Sequence, residues 1–158
     1  MATRQAPRRM TSRELGIWRS LLDTTAELRR ILGAELQETG LSPADYQVLL
    51  ALSEAQGKQL RSSELARVID WERSRLSHQL GRMEARGLLR REQCATDNRG
   101  AEVSMTKEGA RAFRRATVPH VRAIEKHFAE ALTHEQFDAL GDTLQAVQSH
   151  LRGEGARS

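Results

Sequence analysis

Arg73-Ser74-Arg75-Leu76-Ser77-His78-Gln79-Leu80-Gly81-Arg82-Met83-Glu84-Ala85-Arg86-Gly87 carries the strongest structural signal in this 158-residue chain. Leu76, Leu80 and Met83 fall at steps of four and three, the spacing that aligns side chains on one face of an α-helix. Gly87 comes next, a residue that readily takes the left-handed conformation closing a helix. With those three apolar residues turned inward at about 100° per residue, Ser74, His78 and Gly81 point outward. Arg75 and Arg82 lie on one flank of that face and Ser77 on the other.

Immediately upstream, Leu60 is followed by Arg61-Ser62-Ser63-Glu64-Leu65-Ala66, which opens a short helix ending near Ile69-Asp70. Two short helices joined by a tight turn describe a helix-turn-helix. Earlier still, Ser42-Pro43 has the form of a helix cap and first turn, with Tyr46, Val48, Leu49, Leu50 and Leu52 as the buried side. Gln56-Gly57-Lys58 interrupts that pattern. Downstream, Leu88 to Cys94 and Ala101 to Thr106 have strand character, and the turn formers of 95–100 between them predict a hairpin. Residues 41–106 therefore read as a winged helix-turn-helix domain.

Long helices bracket this domain. Leu15, Trp18, Leu21, Leu22, Thr25, Leu28, Leu32 and Leu36 trace one stripe over 12–40. After Thr106, a candidate cap, Phe113, Ala116, Val121, Ile124 and Phe128 form the apolar side of a further helix, which Pro119 should kink or split. Thr133 to Gln136 has the spacing of a capping box, and Phe137, Leu140, Leu144, Val147 and Leu151 make a heptad-like seam. Stripes of this length need partners, so 12–40 and 107–152 read as dimerisation helices that complete their core with a second copy. Residues 1–11, with three arginines and no apolar periodicity, read as a disordered basic arm, and 153–158 as a loose tail. The expected fold class is mainly α with a small β-hairpin wing.

Apolar residues make up 39% and charged residues 29% of the chain, and no apolar run approaches the roughly 20 residues of a membrane span. The basic N-terminus lacks the apolar core of a secretory signal, so the expected location is the cytoplasm, on the nucleoid. Residues 61–100 hold 9 Lys and Arg against 6 acids, most of the net charge of +4. A local basic excess favours a polyanion.

The major groove of B-form DNA admits one helix, read by the side chains facing away from the protein core. Arg75 and Arg82 have the chemistry to pair bidentately with guanine; Ser74, Ser77 and His78 offer shorter polar contacts, Arg73 suits a phosphate, and Gly81 permits close backbone approach. Ser62 opens the preceding helix, and Arg90 and Arg91 make the first strand of the hairpin basic. At the hairpin tip Arg99 is suited to the negative potential of the minor groove, with Asp97 nearby to hold its guanidinium. As a surface ion pair alone, Asp97 and Arg99 would contribute only about 0–1 kcal/mol.

Taken in order, Ser63-Glu64-Leu65-Ala66, then 77–91 from Ser77-His78-Gln79-Leu80 to Arg90-Arg91, then Asp97-Asn98-Arg99, then Met105-Thr106-Lys107-Glu108-Gly109 resemble the MarR family of bacterial regulators. The resemblance implies a triangular homodimer with interlocked N- and C-terminal helices, a recognition helix over 73–82, and a wing led by Arg99 with Asp97 as its supporting carboxylate. It further implies binding to a near-palindromic promoter site, usually as a repressor released by a small ligand. Asn98 stands where the family often has a basic residue, and Met105 where it usually has Leu. Family pockets lie between the dimer helices and the reading head, which makes Trp18, Tyr46, Trp71 and Phe113 candidate ligand contacts, although aromatic residues in a mainly helical protein commonly form core.

Other readings use the same residues. An architectural DNA binder would keep the scaffold and lack a ligand switch. A redox sensor would use Cys94, the only cysteine, whose basic neighbours would lower a thiol pKa. His120 and His127 share a helix face at a separation of seven, but no third metal ligand is suggested. Neither a phosphate loop nor a nucleophile motif points to an enzyme or a bound cofactor.

Overall fold

The computed structural model describes residues 9–93 and 101–155. In chain order the elements are α1 (Ser12–Glu38), α2 (Pro43–Glu54), β1 (Gln59–Arg61), α3 (Ser62–Val68), α4 (Arg73–Ala85), β2 (Leu89–Gln93), β3 (Ala101–Met105), α5 (Lys107–His127) and α6 (His134–Gly155).

Helix starts follow local chemistry. Thr11 and Glu14 close a capping box on α1, and Ser42 and Asp45 close another on α2, where Pro43 fills the first turn. Thr11, expected to be the last residue of a disordered arm, is instead the N-cap of α1, because Glu14 reciprocates its hydrogen bond. Thr133 and Gln136 exchange the expected bonds before α6. That helix runs through Gly155, past the Gly153 at which a loose tail was expected, since i to i−4 bonding needs no apolar contact to continue for another turn.

The turn between α3 and α4 is tightened by Asp70, at φ 53°, a conformation an Asp side chain tolerates. The Trp71 N–H returns to the Ala66 carbonyl at 2.9 Å. At the far end of α4, Gly87 has φ 74°, and the Leu88 N–H reaches back to the Met83 carbonyl at 3.0 Å, completing the helix closure that the glycine suggested.

The hairpin is part of a three-stranded antiparallel sheet ordered β1-β3-β2. β1 is an addition to the sequence pattern: Leu60, which leads into a helix by that pattern, pairs with Val103 of β3. Three residues are too few to show an alternation, and the partner strand lies some forty residues downstream. Leu41, Val48, Leu49, Leu52, Leu65, Leu76, Leu80, Met83, Leu89 and Val103 form one buried core beneath α3, α4 and the sheet. Leu50, expected inside, is exposed at 37%.

α5 is a single helix through Pro119, not split there. Buried Ala116 and Ala123 anchor it on either side of the proline, so the loss of one backbone bond is tolerated. Val121, expected on its buried side, is exposed. Thr106 caps this helix through the Gly109 N–H at 3.0 Å, and its hydroxyl donates to the Gly87 carbonyl at 2.6 Å, tying the start of α5 to the end of α4.

Candidate nucleic-acid interface

α4 divides as its sequence pattern requires. Leu76, Leu80 and Met83 are buried, while Ser74, Arg75, Ser77, His78 and Arg82 are exposed on the other sides of the helix and Arg73 is exposed in its first turn. Gly81 is half-buried beside the Arg91 guanidinium. Ser62, Ser63, Arg73, Ser77 and Arg91, together with Leu76, Leu80 and Ala101 at its apolar base, line a cleft of about 230 Å³ between the start of α3, α4 and the base of the hairpin. The hydroxyls and guanidinium groups on the polar side of this cleft are compatible with phosphate.

Three of the predicted arginines already have partners. The Arg75 guanidinium sits 4.0 Å from the centre of the Trp71 ring, a cation–π contact. Arg82 donates from Nη2 to Gln79 Oε1. Arg91 donates to Glu84 through Nε at 2.8 Å and Nη2 at 2.6 Å. The guanidinium, and after it the Arg91 backbone N–H, holds the Glu84 carboxyl below its ordinary pKa.

Strand alternation separates the two wing arginines. Arg91 pairs in register with buried Val103 and faces α4, whereas Arg90 pairs with Ser104 and lies with Glu92 and Glu102 on the other face of the sheet. Ser62, Arg73, Ser77 and Arg91 thus meet at one cleft and His78 and Arg82 join Ser77 and Arg91 along the next groove, while Ser74 and Arg75 stand exposed elsewhere on α4 and Arg90 lies on the other face of the sheet. Asp97, Arg99 and Cys94 lie outside the described residues.

Comparison with known proteins assigns this arrangement. The MarR family model matches residues 39–100, the span between the end of α1 and the start of β3. AbsC, a MarR family transcriptional regulator from Streptomyces coelicolor, is 38% identical over 92% of this chain and 99% of its own, with a TM-score of 0.83. The chain belongs to the MarR family of transcriptional regulators. A second Streptomyces coelicolor MarR family regulator, solved in complex with DNA, is 36% identical over 93% of this chain and 92% of its own, with a TM-score of 0.84. A mutant of MarR from E. coli complexed with operator DNA shares the fold at 20% identity, covering 89% of this chain and 99% of its own with a TM-score of 0.75. None of the curated proteins searched matches the chain. Members of the MarR family are DNA-binding regulators rather than enzymes.

Of the four aromatic candidates of this MarR family member, Tyr46 and Phe113 meet within one chain. Tyr46 and Phe113 stack at 5.1 Å between ring centres, and Tyr46 also meets His120 at 4.7 Å. Trp71 lies under Arg75, and Trp18 is exposed at 51% on α1. His120 and His127 also part company: His127 Nε2 lies 2.6 Å from Glu35 on α1, while His120 Nδ1 is buried without a hydrogen-bond partner among the described residues. Burial pushes the His120 pKa down. Among the described residues no group of three or more His, Cys, Asp or Glu could hold a metal, and no helix is long and apolar enough to cross a membrane.

Sequence reasoning missed Asp45, Gln79 and Glu84. Two left a trace: Ser42-Pro43-Ala44-Asp45 has capping-box spacing, and Gln79 is a polar residue set among Leu76, Leu80 and Met83. Glu84 left none, because its partner Arg91 belongs to another element.

Proposed function

We propose that this protein acts as a homodimeric repressor on a near-palindromic promoter site, each subunit setting α4 into a major groove and the 94–100 segment, with Arg99 and Asp97, into the adjacent minor groove. The observation that carries the reading is the outer side of α4, where Ser74, Arg75, Ser77, His78 and Arg82 stand exposed over a buried apolar side, with Arg73 exposed in the first turn. A helix so divided, beside a cleft lined by Ser62 and Arg91, has the form that major-groove readers require.

Homodimer formation is supported by two apolar surfaces left uncovered on a single chain. Leu15, Ile17, Trp18, Leu21 and Leu22 are exposed on α1, as are Phe137, Leu144, Val147 and Leu151 on α6. Contiguous apolar patches of this kind mark protein interfaces. A second copy burying these stripes would set two α4 helices in fixed relation, which is what a palindromic site demands.

Release by a small effector belongs to the same reading. Tyr46 and Phe113, stacked between α2 and α5, are its first candidate contacts, at the junction of the reading head and the dimer helices. A place in the cytoplasm, on the nucleoid, follows from work on DNA.

The test is selection of bound duplexes from a random DNA pool at physiological salt, followed by sequencing. Enrichment of a near-palindrome with half-sites about one helical turn apart is expected. Binding without enrichment would replace this reading with an architectural role, and no binding would overturn it.

A further inference from the structure

We infer that Gln79 is a positioning residue that orients Arg82 for base recognition, with Asp45 of α2 setting the direction in which the Gln79 amide points. Asp45 and Gln79 are 2% and 3% exposed, the two buried polar side chains among the described residues. Gln79 Nε2 donates to Asp45 Oδ1 at 2.6 Å, and Gln79 Oε1 accepts from Arg82 Nη2. The second Asp45 oxygen takes Arg86 Nη1 at 2.7 Å and the Ser42 backbone N–H at 2.9 Å.

The polarity of this chain leaves one arrangement. An ionised carboxylate only accepts, so the Gln79 amide must turn its NH2 inward. A guanidinium only donates, so the outward carbonyl is the end it can bond. Gln79 therefore stands correctly oriented for Arg82 before DNA arrives. Among the described residues the Arg82 guanidinium has no other side-chain partner. One nitrogen is held and the remaining N–H groups stay available to a base edge or phosphate. Ordering a long side chain is part of the cost of any association, and here that ordering takes place on folding. Arg73, on the same helix, has no comparable tether among the described residues.

The inference rests on α4 reading DNA, so its test has one arm that needs no DNA. In the free wild-type protein, 15N relaxation should find Arg82 Nε more ordered than Arg73 Nε, and Gln79→Met should abolish the difference. Arg82 no more ordered than Arg73 in the wild type would overturn the inference whether or not Gln79→Met folds. In the second arm, affinity for the selected duplex is measured at fixed salt. Gln79→Met should weaken binding about 3- to 10-fold, the range expected when one long side chain must be ordered on association. Adding Gln79→Met to Arg82→Ala should weaken it no further. Equal losses with and without Arg82 would reduce Gln79 to a packing residue and overturn the inference. Failure of the wild type to bind any duplex would count against the DNA reading, and the relaxation arm would still decide whether Gln79 holds Arg82.

Discussion

Arg91 closes on Glu84 from two directions, its guanidinium taking Oε2 at 2.8 and 2.6 Å and its backbone N–H taking Oε1 at 3.0 Å. One carboxylate in the last turns of α4 thereby fixes β2 against α4. Both side chains remain about one-third exposed, so solvent screens the pair. Glu84→Gln should change stability by no more than about 1 kcal/mol yet weaken DNA binding clearly, because the wing loses its angle to α4. Thermal melting and a DNA titration measured together check this; an unchanged affinity would remove the clamp from the mechanism.

Asp45→Ala should act on the fold itself. It strips a buried acceptor from Gln79, Arg86 and the Ser42 N–H at once. Arg86 is 46% exposed and regains water, which moderates the loss. A destabilisation of about 2–4 kcal/mol is expected, read as a shift of the denaturant midpoint. A shift smaller than 1 kcal/mol would mean the network is marginal.

Gly109 is required by close approach. A Cβ built there would stand 1.9 Å from the Leu88 carbonyl oxygen and 2.9 Å from its carbon, both backbone atoms that cannot swing aside. Gly109→Ala should force α5 away from the end of α4 and cost about 1–3 kcal/mol, despite the better helix propensity of alanine. A variant as stable as the parent in denaturant titration would contradict this contact.

His120 should make stability pH-dependent. Burial lowers its pKa from 6.5, so below that value the unfolded chain takes up a proton that the folded chain still refuses. Acidification from neutral pH should therefore destabilise the fold, and above 6.5 the effect should vanish. His120→Phe, which keeps a ring against Tyr46, should flatten this part of the profile in melting curves recorded across that range. A profile unchanged by the substitution would exclude His120 as the source.

Leu144→Asp should disrupt dimerisation while leaving the subunit folded. Leu144 is 47% exposed on a single chain, so the new charge meets water unless a second copy covers it. Sedimentation should register monomers with unaltered helix content. Dimers persisting at micromolar protein would place the interface elsewhere.

Much of this protein was legible from residue order because its signals are local. The spacing of Leu76, Leu80 and Met83, the caps at Ser42, Thr106 and Thr133, and the closing Gly87 act within one or two helical turns, where backbone geometry turns sequence interval into direction. Those features were enough to predict which side of α4 faces solvent. Partners far apart in sequence had to be found in three dimensions: Leu60 with Val103, Asp45 with Gln79 and Arg86, Glu84 with Arg91. The same holds for the unequal fates of Arg90 and Arg91, adjacent in the chain and on opposite faces of the sheet. A composition or a periodicity counts these arginines alike, but hydrogen-bond geometry and strand register do not, since each depends on where another element has packed.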